Sequence, residues 1–345
     1  MSVEVFGKSV HDILGSKQSF FVNNREKLEK AHRDAAVYVA QPRRLFCKIC
    51  SHRLPSAAAF IKHGIGYSYC EDCGHLNGAH EDTDVFCEYL YVREGGEEYA
   101  QNYVPVNPAS RQQRVEKVYL PKAEFALGQI VANPAETEVV DFGCGAGFLL
   151  EAFRALGVRE MRGHEPSATL QRQAEEVLGS GVVQRSRLDG IEEIVSSERG
   201  TLACMVGFIE HVQDPVGLLK ALVAANGFDY LLVTFPLASP SVAVEAVFPQ
   251  VMPRHLSGGH THVFTRESIA RLEELTGIER AAEWWFGTDM LDLFRSVLVS
   301  LEDSGAERLA EEWTRAMLPA IDAMQLALDR RKDSSQVHML YRIRR

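Results

Sequence analysis

The sequence predicts an α/β protein built on a doubly wound β-sheet, with a small metal-binding module ahead of it. A buried strand, a glycine-rich turn and a helix follow one another near residue 140. Strand and helix patterns then alternate as far as residue 286, and two pairs of cysteines lie between residues 47 and 73. Strands that alternate with helices form βαβ units, which place parallel strands side by side in one sheet.

Composition indicates a globular protein with two domains, or one large domain and an appendage. The 345 residues are 46% hydrophobic and 24% charged, with a net charge of −10. This negative charge argues against a broad surface for nucleic acid or anionic membrane. No apolar run approaches the roughly 20 residues of a membrane span, and the N-terminus shows no secretion signal. We therefore expect a cytoplasmic protein that has no membrane span and binds no nucleic acid.

Two C-x-x-C pairs, Cys47/Cys50 and Cys70/Cys73, are separated by nineteen residues. This spacing predicts a tetrahedral zinc site in a zinc-ribbon-like hairpin, with two thiolates from each pair. Four thiolates leave no open coordination position, so the metal is expected to be structural. The alternatives are a redox pair or a chance spacing, but a redox pair normally begins a helix in a thioredoxin-like pattern, which the sequence lacks.

The turn after the predicted strand contains three glycines, Gly143, Gly145 and Gly147. Glycine allows the backbone to approach a ligand and to adopt positive φ. The next residue, Phe148, stands where the dinucleotide fingerprint G-x-G-x-x-G needs its third glycine, and no Lys-Ser/Thr of a P-loop follows. The turn therefore indicates a ligand at the carboxyl edge of the sheet that is neither a dinucleotide nor a triphosphate.

A second predicted strand ends in an acid, Glu165, followed by Ser167 as a candidate helix N-cap. A carboxylate at this place can accept hydrogen bonds from both hydroxyls of a ribose. Together with the glycine turn, it predicts a nucleoside ligand. A Rossmann-like domain that binds another ligand is the alternative.

At this point the chain resembles the class I S-adenosylmethionine-dependent methyltransferases. VVDFGCGAG (139–147) resembles their first motif and GHEPS (163–167) their ribose-binding acid. FIEHVQDP (208–215) and HTHVFT (260–265) resemble two further segments of the family. The resemblance covers residues 110–345 and implies a Rossmann-like, mostly parallel sheet whose last strand is antiparallel. It implies S-adenosylmethionine as cofactor, bound by Asp141, Gly143, Gly145, Gly147, Glu165, Asp189 and Phe208.

The resemblance also directs attention to Glu210 and His211, which follow the fourth strand at the ligand-binding edge. A neutral imidazole can remove a proton from the acceptor, so we expect His211 to act as general base and Glu210 to orient the ring or the substrate. The alternative is that both residues only hold the loop. His255, His260 and His262 are further candidates for substrate contact.

The zinc-binding cysteines ahead of the domain are similar to those of nucleotide-sugar C-methyltransferases, although this chain lacks room for their C-terminal domain. This resemblance implies a small-molecule acceptor: a sugar, nucleotide-sugar or glycan precursor in carbohydrate biosynthesis, methylated on carbon or oxygen. The protein could also form a homo-oligomer. A zinc-ribbon-assisted nucleic-acid methyltransferase and a non-catalytic S-adenosylmethionine-binding scaffold are the alternatives.

We divide the chain into a helical segment (1–45), a zinc-binding module with its linker (46–108) and a methyltransferase domain (109–345). The linker from Tyr89 to Pro108 is rich in tyrosine and could either cover a polar pocket, with Asn102, or simply pack between the domains. Within the third part we expect one helix over 111–132, a functional loop over 236–259, a helical insertion over 289–332 and a final strand over 336–343.

Overall fold

The computed structural model describes residues 2–16, 23–92, 100, 107–130, 133–256 and 259–343. Two sheets organise these residues: a central sheet of eight strands and a smaller sheet of four. The strands are β1 Val3–Phe6, β2 Phe60–Lys62, β3 Ile65–Tyr69, β4 Leu76–Gly78, β5 Glu138–Phe142, β6 Glu160–Glu165, β7 Val183–Arg185, β8 Gly200–Met205, β9 Phe228–Pro236, β10 His262–Val263, β11 Glu279–Phe286 and β12 Gln336–Arg342.

Helices cover both faces of the central sheet. The α-helices in the described ranges are α1 Val10–Ser16, α2 Asn24–Val39, α3 Asp84–Tyr91, α4 Pro108–Arg114, α5 Leu120–Leu127, α6 Phe148–Ala155, α7 Ala168–Leu178, α8 Ile191–Ser197, α9 Pro215–Ala225, α10 Pro240–Val247, α11 Arg266–Thr276, α12 Asp289–Asp303, α13 Glu307–Met317 and α14 Ile321–Arg330. None of these helices is both long and apolar enough to cross a bilayer.

The strand order of the central sheet is β1-β11-β12-β9-β8-β5-β6-β7. Strands β7, β6, β5, β8 and β9 are parallel, whereas β12 runs antiparallel to both β9 and β11. The predicted doubly wound sheet with an antiparallel last strand is confirmed. The order reverses at β5, which lies between β6 and β8, and such a switch point opens a crevice at the carboxyl ends of the strands.

Short-range sequence signals account for the elements that surround this crevice. Val139 and Val140 of β5 are buried, as expected for a strand covered on both faces. Ser167 caps α7 by accepting from the N–H of Leu170. Thr265 begins α11 in a capping box, in which its side chain and that of Ser268 bond reciprocally to backbone N–H groups.

The cysteine-bearing segment forms the four-stranded antiparallel sheet, in the order β10-β4-β3-β2. The strand β10 comes from residues 262–263, far along the chain in the predicted methyltransferase domain. Helix α2 packs on this sheet as well, since Ala35 and Tyr38 share one apolar cluster with Tyr67 and Val263. The predicted boundaries at residues 45/46 and 108/109 stay a prediction, but the contacts that cross them are extensive.

Three local predictions need correction. The segment 1–45 is not only helical, because β1 pairs in parallel with β11 at the edge of the central sheet. The predicted loop 236–259 contains helix α10, which begins at Pro240 after the capping residue Ser239. The third correction concerns the bounds of the helix predicted over 111–132. The helical stretch runs from 108 to 127, and it includes a π-helical turn at Val115–Tyr119. The insertion over 289–332 is helical as predicted, and its last two helices are joined by a 3-10 turn, Leu318–Ala320.

Candidate active site

A cavity of about 870 Å³ lies over the carboxyl ends of β5, β6 and β8. Ligand pockets generally hold about 300–1,000 Å³, so this cavity can receive two small molecules side by side. One wall is built by the glycine turn and Glu165, which we call the glycine-turn end. The lining also contains Glu210, His211 and His260, which we call the histidine end.

At the glycine-turn end the Glu165 carboxylate accepts one backbone N–H on each oxygen. Gly145 donates to Oε2 at 2.9 Å and Ser167 donates to Oε1 at 2.8 Å. Each oxygen keeps a lone pair for a ligand hydroxyl. Burial raises the pKa of Glu165 to about 7, although the two N–H groups act in the opposite direction.

The glycines of the turn have different roles. All three have positive φ, but a Cβ at Gly143 would meet the Phe208 ring at 2.5 Å and one at Gly147 would meet Leu178 at 2.7 Å. A Cβ at Gly145 would meet no atom within 4 Å. Gly143 and Gly147 therefore permit close packing within the protein, whereas Gly145 borders open cavity space. The sequence grouped these three residues as ligand-binding without this distinction.

Asp141 and Lys122 lie buried between the two ends of the cavity. Burial, with the Glu165 charge second, holds the pKa of Asp141 well above its usual range. Burial also lowers the pKa of Lys122 to about 8, against the attraction of Glu210 and Asp141. Lys122 therefore supplies the positive charge that these buried carboxyl groups require. The sequence contained no signal for it, since a lysine in an amphipathic helix is normally solvated.

Asp189 lines the cavity but is exposed, and its carboxylate pairs with Arg187 at 2.5 Å. Phe208 is half-buried against Gly143 and also lines the cavity. The geometry therefore brings both predicted residues to the cavity, and their contact with a ligand stays a prediction.

At the histidine end, Glu210 and His211 occupy a 3-10 turn, Ile209–His211, directly after β8. Burial raises the pKa of Glu210 to about 7. Burial, with His260 second, lowers the pKa of His211 to about 3, so the ring is neutral at physiological pH. An imidazole with this pKa holds a proton only at high cost, unless a nearby anion such as Glu210 stabilises it.

The His211 ring is held from one side. Its Nδ1 lies 2.7 Å from the Tyr91 hydroxyl and 3.3 Å from the Gly259 carbonyl oxygen. The Tyr91 hydroxyl donates to the same carbonyl at 3.3 Å. With Nδ1–H donating to Tyr91, the Nε2 atom of His211 is left as an acceptor. Tyr91 belongs to the tyrosine-rich linker, of which residues 93–99 and 101–106, including Asn102, lie outside the described residues.

The other three candidate histidines lie in different surroundings. His260 lines the cavity, and its ring lies 5.1 Å from that of His211. His255 is buried and its Nε2 is 2.9 Å from Arg254 Nη2. His262 is buried against the module, where its Nδ1 lies 2.9 Å from His75 Nε2. Of the three, only His260 lines the cavity.

Away from the cavity, the four predicted cysteines form a cluster with all sulfur atoms within 4.8 Å of one another. The Sγ atoms of Cys47 and Cys73 are 3.6 Å apart, and those of Cys50 and Cys70 are 3.4 Å apart. A Zn–S bond of about 2.3 Å places tetrahedral sulfurs about 3.8 Å apart, so the four residues fit a zinc ion.

Comparison with known proteins indicates which kind of domain has this geometry. Residues 111–281 match a family model described as a methyltransferase domain. A ubiquinone biosynthesis O-methyltransferase from Xanthomonas axonopodis pv. citri (strain 306) is 28% identical over 163 residues, which are 42% of this chain and 67% of that protein.

The chain carries a class I methyltransferase domain. It is an S-adenosylmethionine-dependent methyltransferase, as the sequence predicted. Among solved structures, magnesium protoporphyrin IX methyltransferase from Synechocystis PCC 6803 with bound SAH has a TM-score of 0.41 at 16% identity, covering 58% of this chain and 90% of that chain. A SAM-dependent methyltransferase from Archaeoglobus fulgidus has a TM-score of 0.41 at 13% identity, covering 67% and 97%. The Xanthomonas relative is not named as a sugar methyltransferase, and the expected sugar acceptor stays a prediction.

Proposed function

We propose that the methyltransferase places S-adenosylmethionine at the glycine-turn end and a small hydroxylated acceptor at the histidine end of the same cavity. The observation that supports this most directly is that Glu165 and Gly145 line the same cavity as Glu210 and His211. A sulfonium methyl group is already activated, so alignment of donor and acceptor in a dry cavity supplies most of the catalysis.

In this proposal Glu165 accepts hydrogen bonds from the two ribose hydroxyls, and Gly145 leaves room for the donor beside it. Asp141, Gly143, Gly147, Asp189 and Phe208 form or support the rest of the donor site. The acceptor is proposed to be a sugar or nucleotide-sugar. Support for this class comes from the resemblance of the cysteine module and from the hydroxyl-bonding groups at the histidine end.

Glu210 and His211 act on the acceptor in this proposal. His211 is neutral and held through Nδ1 by Tyr91, so its other nitrogen can contact the nucleophilic oxygen or carbon. Glu210 lies near enough to stabilise positive charge at the ring, because its carboxylate and the ligand nitrogen of His211 are within 4.8 Å. The pair therefore assists removal of the proton that the acceptor must lose.

We also propose that Cys47, Cys50, Cys70 and Cys73 bind one structural zinc. The fit of the four sulfur atoms to a tetrahedral site supports this assignment. Two groups donate to the Cys47 sulfur, the N–H of Ile49 at 3.5 Å and the Asn77 amide at 3.6 Å. Such donors stabilise a thiolate, which is the form that binds zinc.

The experiment that tests the central proposal is calorimetric titration with SAH, followed by a screen for methyl transfer. The screen supplies S-adenosylmethionine and a panel of sugars, nucleotide-sugars and phenols, and it detects release of SAH. Transfer to a member of the sugar classes is the expected result. Absence of SAH binding would refute the donor site, and transfer to phenols alone would refute the sugar class.

Gly145→Ala is expected to weaken SAH binding at least tenfold, because its methyl group enters the space beside Glu165. The φ of +56° also makes alanine unfavourable by about 1–2 kcal/mol. Gly277→Ala is the matched control, since Gly277 has φ +73°, meets no atom within 4 Å and ends helix α11 away from the cavity. Both variants should lose similar stability in denaturant, and equal SAH affinity in the two would contradict the placement of the donor.

Donor affinity is expected to fall as the pH is lowered through about 7, the raised pKa of Glu165. Only the carboxylate accepts both hydroxyl hydrogen bonds, so below this pH the donor must first displace a proton. Calorimetry should show SAH binding about tenfold weaker at pH 6 than at pH 8. Glu165→Gln should bind SAH more weakly at pH 8, by about 1–3 kcal/mol, and lose this dependence. A Glu165→Gln profile parallel to that of the parent would assign the titration to another group.

Elemental analysis is expected to find zinc in the purified protein, and a Cys70→Ser/Cys73→Ser variant should lose one zinc per chain. Ligation and folding are coupled, so this variant should also be less stable. Cys87→Ser is the control, because Cys87 is buried outside the cluster. Unchanged zinc in the double variant would remove the cluster as the metal site.

His211→Asn is expected to lower the transfer rate roughly 10²–10⁴-fold while SAH affinity changes little. Asparagine keeps a polar group of similar reach but cannot replace the imidazole. His11→Asn, at an exposed histidine, is the control for a general effect of the substitution. If the His211 variant also loses SAH binding and thermal stability, His211 only holds its loop. If the variant transfers methyl groups at the rate of the parent, His211 has no role in the chemistry.

A further inference from the structure

The histidine end contains a second group of side chains with the composition of a metal site. One carboxylate oxygen of Glu210 and one ring nitrogen each from His211 and His260 lie within 4.8 Å of one another. Ligand atoms about 2.1 Å from a metal are separated by about 3–4 Å, so a small movement of the side chains closes this group around an ion. Two imidazoles and a carboxylate suit zinc, manganese, iron and cobalt better than magnesium or calcium.

The two imidazole rings have the relative position that binding to one ion requires. Their centroids are 5.1 Å apart with an angle of 46° between the planes. A metal–nitrogen bond of about 2.1 Å puts each ring centre about 3.2 Å from the ion, and adjacent ligands then have centres about 5 Å apart. The contacts of His211 Nδ1 with Tyr91 and Gly259 hold one side of the ring, as the outer contacts of metal-bound histidines do.

Two polar atoms of the group have no partner among the described residues. Glu210 is 4% exposed, and its Oε2 atom is buried without a hydrogen bond. The Nδ1 atom of His260 is also buried and unpartnered. A buried carboxylate oxygen without a partner is costly, and a cation would satisfy it.

The surroundings leave such an ion accessible from the cavity. All three residues line the cavity, so an ion held by them would be reachable from the cavity. Lys122 contributes a positive charge nearby, which interacts with the carboxyl groups of Glu210 and Asp141. Three protein ligands with open positions are the arrangement of catalytic metal sites, in contrast with the closed cluster of four cysteines.

We propose that Glu210, His211 and His260 bind a divalent first-row transition-metal ion, whose open positions receive an oxygen of the acceptor. The metal site stands on these three residues alone, whereas its catalytic use rests on the proposed function. The ion lowers the pKa of the bound hydroxyl, which releases its proton to solvent. The oxygen then attacks the sulfonium methyl carbon, the carbon–sulfur bond breaks, and its electron pair stays on sulfur. His211 serves here as a ligand rather than as the final proton acceptor.

The test measures metal binding directly. Mn²⁺ is added to the zinc-containing protein, and the signal of unbound Mn²⁺ is followed by electron paramagnetic resonance. Mn²⁺ is a hard ion, so it does not displace zinc from the thiolates of the cysteine cluster. The parent should bind one Mn²⁺ per chain, and His260→Ala and Glu210→Gln should each weaken binding at least tenfold. His11→Ala, at an exposed histidine, should bind as the parent does. Equilibrium dialysis should likewise find a second zinc in the parent that is absent from His260→Ala.

Calorimetry with SAH separates this inference from the proposed function, and it shows at the same time that each variant is folded. Mn²⁺ binding that is equal in the parent and His260→Ala would overturn the metal site. The same holds if neither Mn²⁺ nor a second zinc binds to parent protein that binds SAH. Parent protein that binds the ion at these residues but not SAH would support the metal site and refute the proposed donor site.

Discussion

The Glu165 carboxylate connects the two strands that define the cavity. It ends β6, yet it accepts the N–H of Gly145 in the turn after β5, as well as that of Ser167 at the start of α7. Burial of a carboxylate is unfavourable unless hydrogen bonds replace its water. Two N–H groups replace that water only in part, as the raised pKa of about 7 shows. The empty acceptor capacity of this carboxylate makes the glycine-turn end ready for a ligand with paired hydroxyls.

The two ends of the cavity differ in the chemistry of their buried groups. Carboxyl groups and backbone N–H groups dominate the glycine-turn end, whereas neutral imidazoles dominate the histidine end. Lys122 lies between them and balances Asp141 and Glu210. This difference arises because the glycine turn and Glu165 lie at the ends of β5 and β6, whereas Glu210 and His211 follow β8 and His260 precedes β10.

The cysteine module is structurally connected to the histidine end. Strand β10 completes the module's sheet by pairing with β4, and His75 of the module contacts both His262 and Ser268. His260 lies two residues before the paired strand. The cysteine cluster joins the turn before β2 to the turn between β3 and β4. An ordered module therefore fixes β10, which pairs with β4, and β10 fixes the approach of His260 to the cavity. The module therefore supports the histidine end of the cavity.

The sequence by itself determined the features that depend on neighbouring residues. Alternating strand and helix patterns predicted the doubly wound sheet, spacing predicted the cysteine cluster, and Ser167 was predicted as a helix cap from local chemistry alone. The glycine turn and Glu165 could also be predicted from the sequence. A turn that approaches a ligand needs glycines within a few residues of a strand, and Glu165 ends the next predicted strand.

Only the tertiary structure decided the features that join distant parts of the chain. Strand β1 shows little in the sequence, because a four-residue edge strand is stabilised by its partner β11 rather than by its own pattern. Tyr91, Lys122 and His260 meet at the cavity from three separate parts of the chain. The sequence marked His260 and the tyrosine-rich linker as candidates but did not place them together, and Lys122 carried no local signal. Their role depends on distances across the fold, which burial and strand pairing set after the local elements have formed.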